Sequence, residues 1–153
     1  MTENKLKLLG AVIGAAIIFG FVFAMYGLVS ACGPGGVPRD EIAEYYNNDS
    51  NYRTVLGQIV EYEDENYVFD AIKISTGDIE YMCDLPVKSA DILRRNEFDF
   101  SAGGVYKFTI GDPYYPQNGY VIVAVRSVMG SREYLSYDVG KANLIKIYSD
   151  TEE

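Results

Sequence analysis

Apolar side chains fall along this chain in two contrasting regimes. Over residues 8–31 they are almost continuous, and no charged residue occurs between Lys7 and Arg39. Beyond that point they become periodic. Residues 39–48 place Ile42, Tyr45 and Tyr46 on one side, with Asp40 as a candidate N-cap, and so predict a short helix. After a polar loop, residues 52–62 form a run of β-formers interrupted by Gly57, which suggests a bulge or sharp bend. The polar turn of residues 63–66 and a second run over 67–75 complete a predicted hairpin. Ile79, Tyr81, Cys83 and Leu85 then alternate with polar residues, as in a half-buried strand, and Pro86 ends it.

Between residues 87 and 98 the period changes. Ser89 is placed to cap a short helix with Ala90, Leu93 and Phe98 facing inward. Tyr106, Phe108 and Ile110 resume the strand pattern. Residues 120–128 are apolar nearly throughout, as in a strand covered on both faces. Residues 133–139 and 143–148, joined at Gly140 and Lys141, predict a terminal hairpin.

The order of three strands, one helix and two strands over residues 52–128 resembles the OB-fold. That resemblance is one of topology and implies a mainly β domain, a small antiparallel Greek-key barrel with a short helix between strands 3 and 4. An apolar N-terminal helix would precede it. A small sandwich or another curved antiparallel sheet with one helix fits the same order. From Cys32 to Glu153 the chain has 122 residues, enough for a single domain and not for two cofolding ones.

The apolar run has a basic approach, Lys5 and Lys7, and small residues at its end, the requirements of a secretory signal. Its last residues, Val29-Ser30-Ala31-Cys32, resemble the lipobox of bacterial lipoproteins. The resemblance implies cleavage before Cys32, a diacylglyceryl group on the Cys32 thiol and acylation of the new N-terminus. Two or three acyl chains anchor a protein stably where one does not. The run is also long enough to cross a bilayer about 30 Å thick, so an uncleaved single-pass helix remains the alternative. Under either reading residues 1–31 are leader or anchor, residues 32–39 a flexible tether, and residues 40–153 a domain outside the cytoplasm. The basic side of the run stays inside.

Charge narrows the partners. The leader carries Glu3, Lys5 and Lys7, so the remainder holds 11 Lys and Arg against 21 Asp and Glu, a formal −10. Such a domain repels phosphate backbones, which excludes nucleic acid as a partner. Histidine is absent, which removes histidine-ligated zinc and histidine-activated nucleophiles, and two cysteines cannot make an all-cysteine zinc site. No cofactor or metal site is expected. Cys83, on the apolar phase of its strand, reads as a small buried hydrophobe.

Two connections carry the candidate recognition residues. Glu63, Asp64 and Glu65 crowd the first hairpin turn; a solvated turn that blocks edge pairing is the plain reading, and a ligand site the functional one. Tyr114 and Tyr115, held between Pro113 and Pro116, either present aromatic faces to a ligand or fold back over the domain's rim. If both loops flank one site, aromatic walls and carboxylates would suit a sugar or a cation. Lys88, Arg94 and Arg95 form the one local basic grouping of the domain, a solvated helix face.

These features together predict a lipid-anchored binding or interaction module without catalysis, held at the membrane by Cys32 or by the apolar helix. Its partner would be a protein or a small polar ligand. The alternatives are a structural subunit of a membrane complex, or a hydrolase using paired carboxylates such as Asp70, Glu80 or Asp112.

Overall fold

The computed structural model describes residues 38–64, 66–101 and 103–150. The leader, Cys32, the tether before Pro38 and Glu65 lie outside the described residues. The fold is mainly β, with a six-stranded sheet and three α-helices among the described residues.

Helix α1 (Arg39–Asn47) buries Ile42, Ala43 and Tyr46, and Asp40 lies within its first turn rather than before it. A 3-10 turn (Asp49–Asn51) leads into strand β1 (Tyr52–Glu63). Two neighbours share this long strand: residues 52–58 pair with β4 (Val105–Gly111) and residues 58–63 with β2 (Phe69–Ser75). Gly57 sits at the handover, where a Cβ would run into the Ile74 side chain. The irregularity of the β1–β2 ladder falls next to it, between Ile59 and Glu61.

Strand β3 (Glu80–Pro86) pairs with β2, and β5 (Tyr120–Ser127) with β4, all antiparallel. A short parallel pairing, Cys83 with Tyr120 and Asp84 with Val121, then joins β3 to β5. The hydrogen bonds therefore run in a ring through five strands. Strand β6 (Glu133–Leu135) adds to the outer edge of β5.

Inward positions alternate as the sequence pattern requires. Ile72 and Ile74 on β2, Cys83 and Leu85 on β3, Phe108 and Ile110 on β4 and Ile122 and Val125 on β5 fill the core. Helix α2 (Val87–Arg95) contributes Ala90 and Leu93, and the segment after it adds Phe98. The helix begins two residues earlier than the expected Ser89 cap. Pro86 holds the cap position, and Ser89, fully buried, accepts a hydrogen bond from Asn143 Nδ2 at 3.1 Å.

The predicted terminal hairpin is corrected. Residues 137–149 form helix α3 (Tyr137–Ser149), capped by Ser136, whose side chain accepts from the Val139 N–H. Gly140, which reads as a turn residue in sequence, is a packing residue: a Cβ there would overlap the Val123 carbonyl. The helix lies directly on β5, covering the face opposite the core, and so leaves Val121 and Val123 buried as well. β5 is thus covered on both faces, as its composition predicted.

Candidate functional site

The β1–β2 hairpin and α2 meet around one carboxylate. Asp70 is the second residue of β2 and falls on the inward phase with Ile72 and Ile74, where only 1 % of it is exposed. An ionised group at such a position requires partners. Tyr62, near the end of β1, donates its hydroxyl proton to Asp70 Oδ2 at 2.6 Å. Arg94, in the last turn of α2, donates from Nη2 to the same oxygen at 3.1 Å and also to the Tyr62 hydroxyl. Its Nη1 reaches Asp91 at 3.0 Å. Phe100 packs against the cluster, its ring centroid 4.5 Å from that of Tyr62 and 5.7 Å from the Arg94 guanidinium carbon. Burial, reinforced by Asp70, pushes the Tyr62 phenol up to about 12.

Above this cluster opens a pocket of about 550 Å³. The hairpin tip contributes Asp64, Asn66 and Tyr67, the floor is Asp70, and α2 supplies Val87, Asp91 and Arg94. The tip is held in shape by Asn66, whose Oδ1 accepts from the Val68 and Phe69 N–H groups. It is tied to the helix by the Val87 N–H donating to the Val68 carbonyl at 3.0 Å. Tyr67 stands fully in solvent at the lip.

The acidic turn and the tyrosine loop do not share this pocket. Of the turn, Asp64 lines it, and Glu63 is exposed at the end of β1. Tyr114 and Tyr115 instead fold back on α1. The Tyr114 ring meets Tyr45 edge-on at 5.1 Å, its N–H donates to the Tyr46 hydroxyl at 3.2 Å, and its own hydroxyl donates to Glu41 at 3.3 Å. The Tyr115 hydroxyl is buried without a partner among the described residues.

Asp70, Glu80 and Asp112 are not brought together as a catalytic pair. They engage Arg94, Lys73 and Arg53 respectively, at 3.1, 3.3 and 2.7 Å. Arg53 also stacks over Tyr120, 5.2 Å from its ring centroid. Cys83 is 2 % exposed, and burial, with Asp84 adding, pushes its thiol up to about 12. A thiol so held supplies little thiolate. Among the described residues no cluster of acidic or cysteine side chains is arranged to hold a metal ion, and no helix is long and apolar enough to cross a membrane.

No family model, curated protein or solved structure matches the chain. Function must therefore be read from the residues themselves. Sequence reasoning passed over Tyr62, Tyr67 and Asp91, and placed Arg94 on a solvated helix face. The legible signal was Asp70, a carboxylate on the apolar phase of a strand.

Proposed function

We propose that the chain is a lipid-anchored binding module exported across the cytoplasmic membrane, without catalysis, its domain an OB-like Greek-key barrel. The observation that carries the reading is the junction at Val29-Ser30-Ala31-Cys32, where an uncharged apolar run ends in two small residues and a cysteine. Support for the barrel comes from the strand ring β1-β2-β3-β5-β4, its parallel β3–β5 closure, and the helix between β3 and β4. Support for binding over catalysis comes from the three carboxylates named for a hydrolase, each already engaged by a basic side chain in a different place.

Intact-mass measurement of the membrane-extracted protein tests the anchor. The expected product lacks residues 1–31 and carries a lipid-sized addition on Cys32, and Cys32→Ala blocks processing while leaving the domain folded. An unmodified full-length chain would overturn the lipoprotein reading in favour of the single-pass helix, whose length the apolar run also satisfies.

A further inference from the structure

We propose that the outer face of β1 and β4, extended by the β5–β6 turn, lies against an anionic lipid surface. The inference rests on the membrane-anchored reading and holds for either anchor, the lipid on Cys32 or the apolar helix.

The register defines the face. Thr54 lies opposite Thr109, Leu56 opposite Lys107 and Gln58 opposite Val105, while Lys107 lies opposite Arg126 of β5. Opposite residues of an antiparallel pair share a face. Phe108 and Ile110 point into the core, so these positions point out. Helix α3 covers the β5 end of this surface, but Leu56 and Val105 are left 52 and 53 % exposed. Beyond Ser127 the strand leads into a turn closed by the Ser127 N–H on the Arg132 carbonyl at 2.9 Å, with Gly130 in the left-handed region, and Met129 stands out of it, 89 % exposed.

Charge is the second observation. The domain carries 21 carboxylate side chains, and none stands on these rows. Their charged groups are Lys107, which has no acidic partner among the described residues, and Arg126, paired only loosely with Glu133 at 3.9 Å. Elsewhere the domain's negative charge repels an anionic leaflet, so this face is the one that can approach it. A second copy of the chain fits poorly. In a twofold interface the patch meets itself, which would set Lys107 and Arg126 against their own copies.

The tether is the third. From Cys32 to Pro38 the chain spans at most about 20 Å, whereas a domain of this length is about 30 Å across. The domain therefore meets the bilayer at a high effective concentration, and a face of weak affinity suffices to dock it.

The test uses the absence of tryptophan from the chain. Val105→Trp and Met129→Trp each place a single fluorophore on the face, and Ile79→Trp places one at an exposed site between β2 and β3, across the strand ring. The full chain is reconstituted into vesicles of equal parts phosphatidylcholine and phosphatidylglycerol with brominated acyl chains. Quenching is expected at positions 105 and 129 and not at 79. Lys107→Gln and Arg126→Gln should each lower the docked-to-free ratio about fivefold, and added salt should lower it further. Equal quenching at all three positions, none at any, or docking as strong on pure phosphatidylcholine would overturn the proposal. A blue-shifted fluorophore at position 105 that brominated lipid leaves unquenched would overturn it in favour of a protein partner or a second copy. Flotation separates the two readings: a chain that does not float with the vesicles overturns the anchor and this inference together, whereas one that floats without selective quenching overturns the face alone.

Discussion

Tyr115 carries a hydroxyl that is sealed from solvent and bonded to nothing among the described residues. A buried donor without an acceptor costs about 1–3 kcal/mol. Tyr115→Phe removes that cost and keeps the ring, so we expect stability to rise by about 1 kcal/mol, read as a higher urea midpoint. A fall of similar size would mean that the hydroxyl is satisfied. Gly140 makes the opposite case. In a helix interior Gly→Ala ordinarily gains about 1 kcal/mol. Here the added methyl meets the Val123 carbonyl, a backbone atom that cannot swing aside. Gly140→Ala should therefore lose about 3 kcal/mol in denaturant unfolding, since overpacking against a rigid neighbour outweighs propensity. An unchanged or raised midpoint would show that α3 can lift off β5 without penalty.

At the scale of elements, hydropathic period made most of the domain legible. The alternation of Ile79, Tyr81, Cys83 and Leu85 gave β3, the change of period after Pro86 gave α2, and the unbroken apolar run at residues 120–128 gave a strand covered on both faces. The failure was α3, the element that supplies one of those covers. Its Gly140 reads as a turn until the close approach to β5 is known, and its remaining residues include β-formers such as Ile145, Ile147 and Tyr148. Long-range packing overrode local propensity there. The candidate site was legible in part for a similar reason. Asp64 stood out by charge and Asp70 was named only among the carboxylates of a hydrolase, although its phase on β2 marks it as inward, but Tyr62, Asp91 and Arg94 belong to the cluster only because α2 folds across the hairpin. For Tyr114 and Tyr115 the sequence leaves two readings open, faces presented to a ligand or rings folded back over the rim, and it is α1, with Tyr45 and Tyr46, that draws them back.

Across the whole molecule, tyrosines tie the peripheral helices to the sheet. The Tyr52 hydroxyl donates to the Tyr46 carbonyl at 2.5 Å, and Tyr46 stacks on Tyr148 of α3 with centroids 5.9 Å apart. Lys141 of α3 bonds Asp49 at 2.5 Å beside the Tyr137 ring. Burial first, then neighbouring charge, pushes the phenols of Tyr62 and Tyr148 up to about 12, and those of Tyr46, Tyr52 and Tyr137 are raised as well. In the unfolded chain a tyrosine ionises near 10. Above that pH the unfolded state sheds protons that the folded state keeps, so stability, intact below about pH 10, falls as pH rises toward about 12. The urea midpoint should be level from about pH 7 to about pH 9 and then decline, with tyrosinate absorbance lagging behind that of the unfolded chain. A midpoint unchanged through pH 11 or so would contradict this.

The ring itself closes at a narrow place. β3 and β5 meet over two residue pairs, and the segments that meet there are separated in sequence by α2 and all of β4. Closing so long a loop costs entropy that two rungs repay only after both neighbours are formed. The order of assembly then follows from the seam: the β1–β2–β3 meander and the β4–β5 hairpin can each form locally, giving a curved open sheet with the flanks of Tyr81 and Tyr120 exposed, and the juncture at Cys83 and Tyr120 is the last rung to zip. Until it does, β3 presents an unprotected edge, and the time spent in that open form sets how long the chain is at risk of pairing with another copy instead of with itself.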